Sequence, residues 1–470
     1  MKSSSFSKLI FAHSTLAISL VCTPLLADGP SKLVPGPWTP TVSLLVPITL
    51  SSLNAKAQQS MQRMPRLPLA TENDAIVREA ASAGIEPGRA PSYLRALATL
   101  PETARPFAHL LKTAIFSGSL SPEIKLAMGV RVAQLHSSVY VGAHTQRWLL
   151  GCRSGESLMS SLRTGKTGAL AAPDRLALRY AELLTQNIHG VGEAEFGRLR
   201  AHFNDSQIVE LTLATCFWNY FTRLSSGWNL PVETWALPQN KSTFSPPTGV
   251  YEAPFARVGL ISSTEIESFA LGARSLSATR QPPPQVQGSA ISAAAVPITA
   301  QPSNPQGSYV ANSLRAMMHV PQFGAAWFDY WRAVREGAVG DTSIGREMLL
   351  QVSFAVSMAN GCRYCTLHQV QGLRRLNVDP TKLVAMRKDD TSLTPRERVA
   401  VTFARKLTRD PAAVTDDDFA LLQQEFGNSG AREVLFQTSA FNFMNRFTDG
   451  LNLPSEDEAI KIYSEIYGTK

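Results

Sequence analysis

Apolar residues in the second half of the chain recur at helical spacing. Ile344, Met348, Leu349, Val352 and Ala355 keep a 3.6-residue rhythm, which predicts an amphipathic helix over 344–355. Thr394-Pro395-Arg396-Glu397 is a helix start: a hydroxyl cap, proline at the first helical position, and a glutamate three residues after the cap. That helix runs through Val399, Phe403, Ala404 and Leu407. Thr415 caps another, with Asp416, Asp417 and Asp418 at the positive end of its dipole before Phe419 and Leu422 turn inward. A last helix is suggested by 432–447. Alternating strand patterns are scarce, so the predicted fold class is all-α.

The chain also repeats itself. Leu94-Arg95-Ala96-Leu97 before Pro101 matches Leu314-Arg315-Ala316-Met317 before Pro321, and Tyr140 and His144 match Tyr364 and His368. Further on, Arg223, Gly227, Asn229, Leu230 and Pro231 match Arg446, Gly450, Asn452, Leu453 and Pro454. Offsets of 220 to 224 residues predict two tandem helical modules, 85–240 and 308–465. Between them, 241–307 carries Ser245-Pro246-Pro247 and Pro282-Pro283-Pro284 and reads as a proline- and serine-rich linker, with one short helix near Thr264 to Leu276.

The chemistry concentrates in Asn360-Gly361-Cys362-Arg363-Tyr364-Cys365-Thr366-Leu367-His368. On a helix, residues three apart are neighbours, so the two sulfurs would meet and the imidazole would reach Cys365. A base beside a thiol matters because only the thiolate attacks. A second cysteine lets a sulfenic acid condense to a disulfide that a reductant reopens. Zinc would need further ligands, and no second Cys-x-x-Cys or His-x-x-x-His supplies them, so neither metal nor cofactor is expected. Opposite Cys362 and Cys365, the first copy has Ser138 and Val141, which marks it as degenerate, though it keeps His144. Its own Cys152 and Cys216 are either buried singles or one disulfide.

Phe354-Ala355-Val356-Ser357, the Asn-Gly-Cys-x-x-Cys motif and the tail Phe441-Asn442-Phe443-Met444-Asn445-Arg446-Phe447 resemble the carboxymuconolactone decarboxylase-like family, in its alkylhydroperoxidase D-like branch. The resemblance implies two tandem all-α modules of that type and a thiol peroxidase activity. Cys365 would be the nucleophile and Cys362 its resolving partner. The branch's histidine falls at Gln369, one step after His368, and its glutamate at Leu350. Glu347 is the nearest upstream carboxylate, either completing a proton relay or sitting on an exposed helix face. Modules of this family pair between chains, so the tandem would be an internal pseudo-dimer or part of a homo-oligomer.

At the amino terminus, Lys2 and Lys8 precede an apolar run from Leu9 to Leu26, and a second run, Val42 to Leu53, leads to Ala55-Lys56-Ala57. Residues 1–57 therefore read as a signal and leader, and the protein as exported, periplasmic or secreted. Such a compartment is oxidising, so a peroxidase there needs a thiol or disulfide-reductase electron donor besides its hydroperoxide substrate. It also keeps two alternatives in view: an exchange protein passing disulfides to a partner, and a scaffold without catalysis. A true lactone decarboxylase has no use for the cysteine pair. Composition adds bounds only. With 44% apolar residues in 470 there is material for two cores, and a formal charge of +8 without a dense basic run argues against a nucleic-acid partner.

Overall fold

The computed structural model describes residues 47–100, 102–237, 244, 311–337, 344–388 and 390–468, and every regular element among them is a helix. The short helix expected near Thr264 and nearly all of the linker lie outside the described residues, as does the first apolar run.

The first half contains α1 (Leu50–Ser60), α2 (Ala75–Ala83), α3 (Ser92–Leu97), α4 (Ala104–Phe116), α5 (Pro122–Leu135), α6 (Val139–Leu150), α7 (Gly155–Thr164), α8 (Ala172–Gln186), α9 (Glu193–Arg200) and α10 (Asp205–Trp228). The second half contains α11 (Asn312–Met317), α12 (Pro321–Gly337), α13 (Arg346–Asn360), α14 (Arg363–Arg375), α15 (Pro380–Lys388), α16 (Pro395–Arg409), α17 (Asp416–Gly450) and α18 (Asp457–Tyr467). In order, α3 to α10 correspond to α11 to α17, with α9 and α10 matched by the one long α17. That element is two helices meeting at a kink, in keeping with the two separate helices read in the sequence. Gly427, at φ 65° and ψ −178°, is the non-helical joint between the two.

Caps form where the side chains call for them. Thr394 and Glu397 make a reciprocal capping box at α16, and Thr415 and Asp418 make another at α17. The end of the stretch read as a leader, residues 50–57, belongs in the structure to the packed helix α1. Leu50, Leu53 and Ala57 fall on one face and are buried, with Leu53 lying against Gly142 of α6, where a β-carbon would sit 2.4 Å from its methyl. Three- and four-residue spacing makes this run amphipathic, which an apolar count alone does not reveal. No helix of the described residues is long and apolar enough to cross a membrane.

The halves are interlocked. Helices α10 and α17 pack along each other, and α12 of the second half lies on α4 of the first. Tyr330 of α12 shares a 2.6 Å hydrogen bond with Tyr220 of α10, and Trp327 meets the Tyr220 ring edge-on at 5.5 Å. At the centre, the fully buried Arg446 donates to the Asn442 side chain and to the Thr185 carbonyl of the first half. Its counterpart Arg223 bonds Asn219 and the Thr408 carbonyl of the second. The two networks are related by an approximate twofold. A single hydrophobic core runs through both halves, and a smaller one lies beneath α13, α14, α15 and α18.

Candidate functional site

The two cysteines do not share a helix. Helix α13 ends at Gly361, whose φ of 74° is the left-handed conformation that glycine adopts without a side-chain penalty. The next helix begins with Cys362 as its cap. Its sulfur accepts the backbone N–H of Cys365 at 3.2 Å, as a serine cap oxygen would. This corrects the continuous helix expected across the motif. The Asn360-Gly361 pair is what turns the chain: buried Asn360 donates to the Asn442 and Asn445 side chains, anchoring the corner to α17.

Helix α17 supplies the rest of the sulfur environment. The Thr448 hydroxyl lies 3.3 Å from Cys362 Sγ and 3.3 Å from Cys365 Sγ, so both sulfurs converge on one oxygen. Asp449, the next residue, is close enough to Cys362 for the two groups to shift each other's proton affinity. Burial pushes its carboxyl up to about 7, against the opposing pull of Cys362 and of Arg363. The Cys362 thiol is raised well above its ordinary value by burial first, then by its bond with Cys365 and the charge of Asp449. Cys365 stands in the first turn of α14, at the helix's amino-terminal end. Cys362 is wholly buried and Cys365 is 4% exposed.

One residue arrives from the other half. His189, in the short 3-10 turn Ile188–Gly190, bonds the Gly361 carbonyl at 3.0 Å and lies 3.8 Å from Asp449 Oδ2. Burial lowers its pKa, while the Gly361 bond works the other way.

His368 is placed otherwise than its spacing suggested. Its Nε2 lies 2.5 Å from Glu456 and its Nδ1 3.3 Å from Gln371, and it hydrogen-bonds neither sulfur. Glu456 also accepts from Tyr364 and from the Asn312 backbone. Burial works to raise the Glu456 carboxyl, but these bonds, led by His368, hold it below the usual range. The first copy repeats this arrangement: Glu233 takes Tyr140 at 3.0 Å, His144 at 2.9 Å and the Ser92 backbone. Glu347 sits with Lys382 at 3.0 Å and Gln351 at 2.9 Å, its side chain 44% exposed, in an ion-pair cluster with Glu397. Leu350, where the resemblance puts a glutamate, packs against α14 near Gly372. Cys152 and Cys216 are free and buried, which settles them as singles.

Sequence reasoning missed Glu456, Thr448, Asp449 and His189. The repeat held a signal for the first, since Leu230-Pro231-Val232-Glu233 aligns with Leu453-Pro454-Ser455-Glu456. Thr448 and Asp449 align with Ser225 and Ser226, and His189 with Ala412, positions where the copies differ. No local motif marks these residues.

The site's neighbourhood coincides with a family match: residues 321–406 fit the carboxymuconolactone decarboxylase family model. The matched segment runs from α12 through most of α16 and contains both cysteines and His368. Among solved structures, the chain is similar to the debrominase Bmp8, at 22% identity over 34% of this chain and 84% of that one, with a TM-score of 0.30. A cysteine-to-alanine variant of Bmp8 in complex with 2,3,4-tribromopyrrole gives 21% identity over 34% and 83%, with a TM-score of 0.31. No curated protein matches the chain.

Proposed function

We propose that the protein is a thiol-dependent peroxidase in which Cys365 attacks a hydroperoxide and Cys362 resolves the product. The observation that carries this reading is the convergence of both sulfurs on Thr448 at the start of α14. In the first step the Cys365 thiolate displaces alkoxide from the peroxide O–O bond, becoming a sulfenic acid while the leaving oxygen takes a proton to give an alcohol. Cys362 then gives its proton to Asp449 and attacks the Cys365 sulfur. The disulfide forms and hydroxide leaves, taking up a proton as water. A dithiol donor returns two electrons and two protons and reopens the pair.

The two sulfurs are suited to these different parts. Cys362, held protonated by burial and by Asp449, keeps its proton until a base takes it, while Cys365 has the helix end. Near-complete burial favours a small substrate over a partner protein, because disulfide exchange requires an incoming sulfur to approach in line. Export, inferred from the amino-terminal pattern, would make the donor a dithiol of that compartment.

The repeat separates holding from chemistry. The Tyr-His-Glu arrangement persists in the copy without sulfurs, so His368 and Glu456 act by fixing α14 to the chain before α18. Asp449 and Thr448, with His189 reaching in from the other half, occur only at the site that has the cysteines. His368→Ala is therefore expected to lower the melting temperature by several degrees while retaining more than about a tenth of kcat. A loss on the order of a hundredfold or more, with an unchanged melting temperature, would place His368 in the proton path instead.

Asp449 gives the reaction its pH dependence. With its carboxyl at about 7, it is a competent proton acceptor only as pH rises through that value, so disulfide closure should accelerate between about pH 6 and 8. Asp449→Asn is expected to flatten that profile and slow closure at pH 8 by at least about tenfold, read by quenched-flow mass spectrometry. Stability carries the opposite sign. A folded-state pKa raised from 3.8 means the native protein holds a proton the unfolded chain has lost, so this group's contribution falls as pH rises from about 4 to 7. In Asp449→Asn that part of the decline should vanish.

A further inference from the structure

A cleft of about 570 Å³ between the halves lies where the repeat would put a second thiol site. Its walls carry Tyr140, Ser225, Ser226 and Ala412, the counterparts of Tyr364, Thr448, Asp449 and His189. Each of the last three replacements removes charge, bulk or both. Ser226 in place of Asp449 takes away a carboxylate, and Ala412 in place of His189 takes away a ring that would cross the opening. Ser138, at the position of Cys362, has a buried hydroxyl with no hydrogen-bond partner.

Cations replace what was lost. Helix α1 and the turn after it bring Lys56, Arg63 and Arg66 to the rim, from a segment with no described counterpart in the second half. Arg66 is fully engaged: its guanidinium bonds Asp416 at 2.8 Å, the Val414 carbonyl at 2.9 Å and the Ser226 carbonyl at 3.1 Å. It builds the wall and neutralises the one carboxylate lining the cleft. Lys56 and Arg63 have no ion pair among the described residues, and they leave the cleft with an excess of two positive charges. Arg63 is pulled below its ordinary value by partial desolvation first and by the charge of Arg66 second, with Asp416 opposing. An anion seated between Lys56 and Arg63 relieves that repulsion.

We infer that this vacated counterpart of the thiol site is a binding cleft for a small anionic compound, a phosphate ester or a carboxylate, held by Lys56 and Arg63. Its volume lies within the range of about 300 to 1,000 Å³ that small-molecule sites occupy. The cations fix the charge of the ligand, and Asn229 and the serine hydroxyls lining the cleft provide neutral polar contacts.

Calorimetric titration of the full chain with inorganic phosphate and, separately, with citrate tests this, with sodium chloride at matched ionic strength as the control. Saturable binding of either anion is expected, weakened at least tenfold in the double variant Lys56→Ala, Arg63→Ala. Binding of citrate alone assigns the cleft to carboxylates, and of phosphate alone to phosphate esters. Both side chains are exposed, so the variant should melt with the parent, and a thermal scan checks that. Absence of saturable binding by both anions, or equal binding by parent and variant, overturns the inference. Peroxide turnover is not read in any arm, so the result is independent of the thiol site.

Discussion

Cys365→Ser should abolish peroxide turnover, a loss on the order of a thousandfold or more, because the other thiol at the site, Cys362, is kept protonated by its burial. Cys362→Ser should fail differently. Its Cys365 still reacts, so one equivalent of peroxide is consumed in a burst, and the reaction then stops at a sulfenic acid that dimedone traps. The asymmetry follows from position. Cys362 is the buried cap whose proton is held by its surroundings, and Cys365 is in the first helical turn. Peroxide consumption in a coupled dithiol assay, with intact-mass measurement, distinguishes the variants. A bursting Cys365→Ser beside a dead Cys362→Ser would reverse the roles. If the reduced wild type consumes no peroxide but passes its disulfide to a dithiol protein, the peroxidase reading is lost and disulfide exchange takes its place.

Arg446→Ala is expected to destabilise the protein by about 3 to 5 kcal/mol, the largest effect foreseen away from the sulfurs. The guanidinium is fully buried, and its loss takes the Arg446 donor from the Thr185 carbonyl, leaves the Asn442 oxygen with Asn360 in place of two donors, and opens a cavity between the halves. Part of that cost is offset. Burial brings the Arg446 pKa down to about 10, a measure of how poorly the charge is accommodated, so Arg446→Met should lose only about half as much. Arg223 makes the mirror contacts, and the two guanidinium charges repel each other. The double variant Arg223→Met, Arg446→Met should therefore lose less than the sum of the singles, since either change removes the repulsion. Denaturant midpoints at pH 7 read all four values, and strict additivity would show that the two arginines act independently.

Much of the architecture could be read along the chain because it is written in short-range terms. Thr394 with Glu397 marks a helix start through atoms three residues apart, and the capping box forms as the residue types require. The copy that lacks sulfurs was visible by comparing Ser138 with Cys362. What escaped was anything requiring a second, distant segment. Glu456 lies 88 positions from the histidine it holds, and His189 reaches Gly361 across 172. Glu347 shows the reverse error: nearness in sequence to the cysteines suggested a relay, whereas Lys382 and Gln351 hold it in a half-exposed cluster. Likewise Ala55-Lys56-Ala57 has the composition of a cleavage site, yet Leu53 and Ala57 are core contacts of α1.

The sequence by itself determined the all-helical class, the internal repeat and the placing of two cysteines in one copy, because periodicity, capping and residue identity are local properties. Tertiary structure alone decided that the halves interlock, that Asp449 and Thr448 face the sulfurs while His368 faces Glu456, and that the vacant counterpart is lined by cations from α1. The physical reason is burial. A carboxylate or thiol acquires its proton affinity from the dielectric and the charges around it, and those surroundings are assembled from segments far apart in the chain.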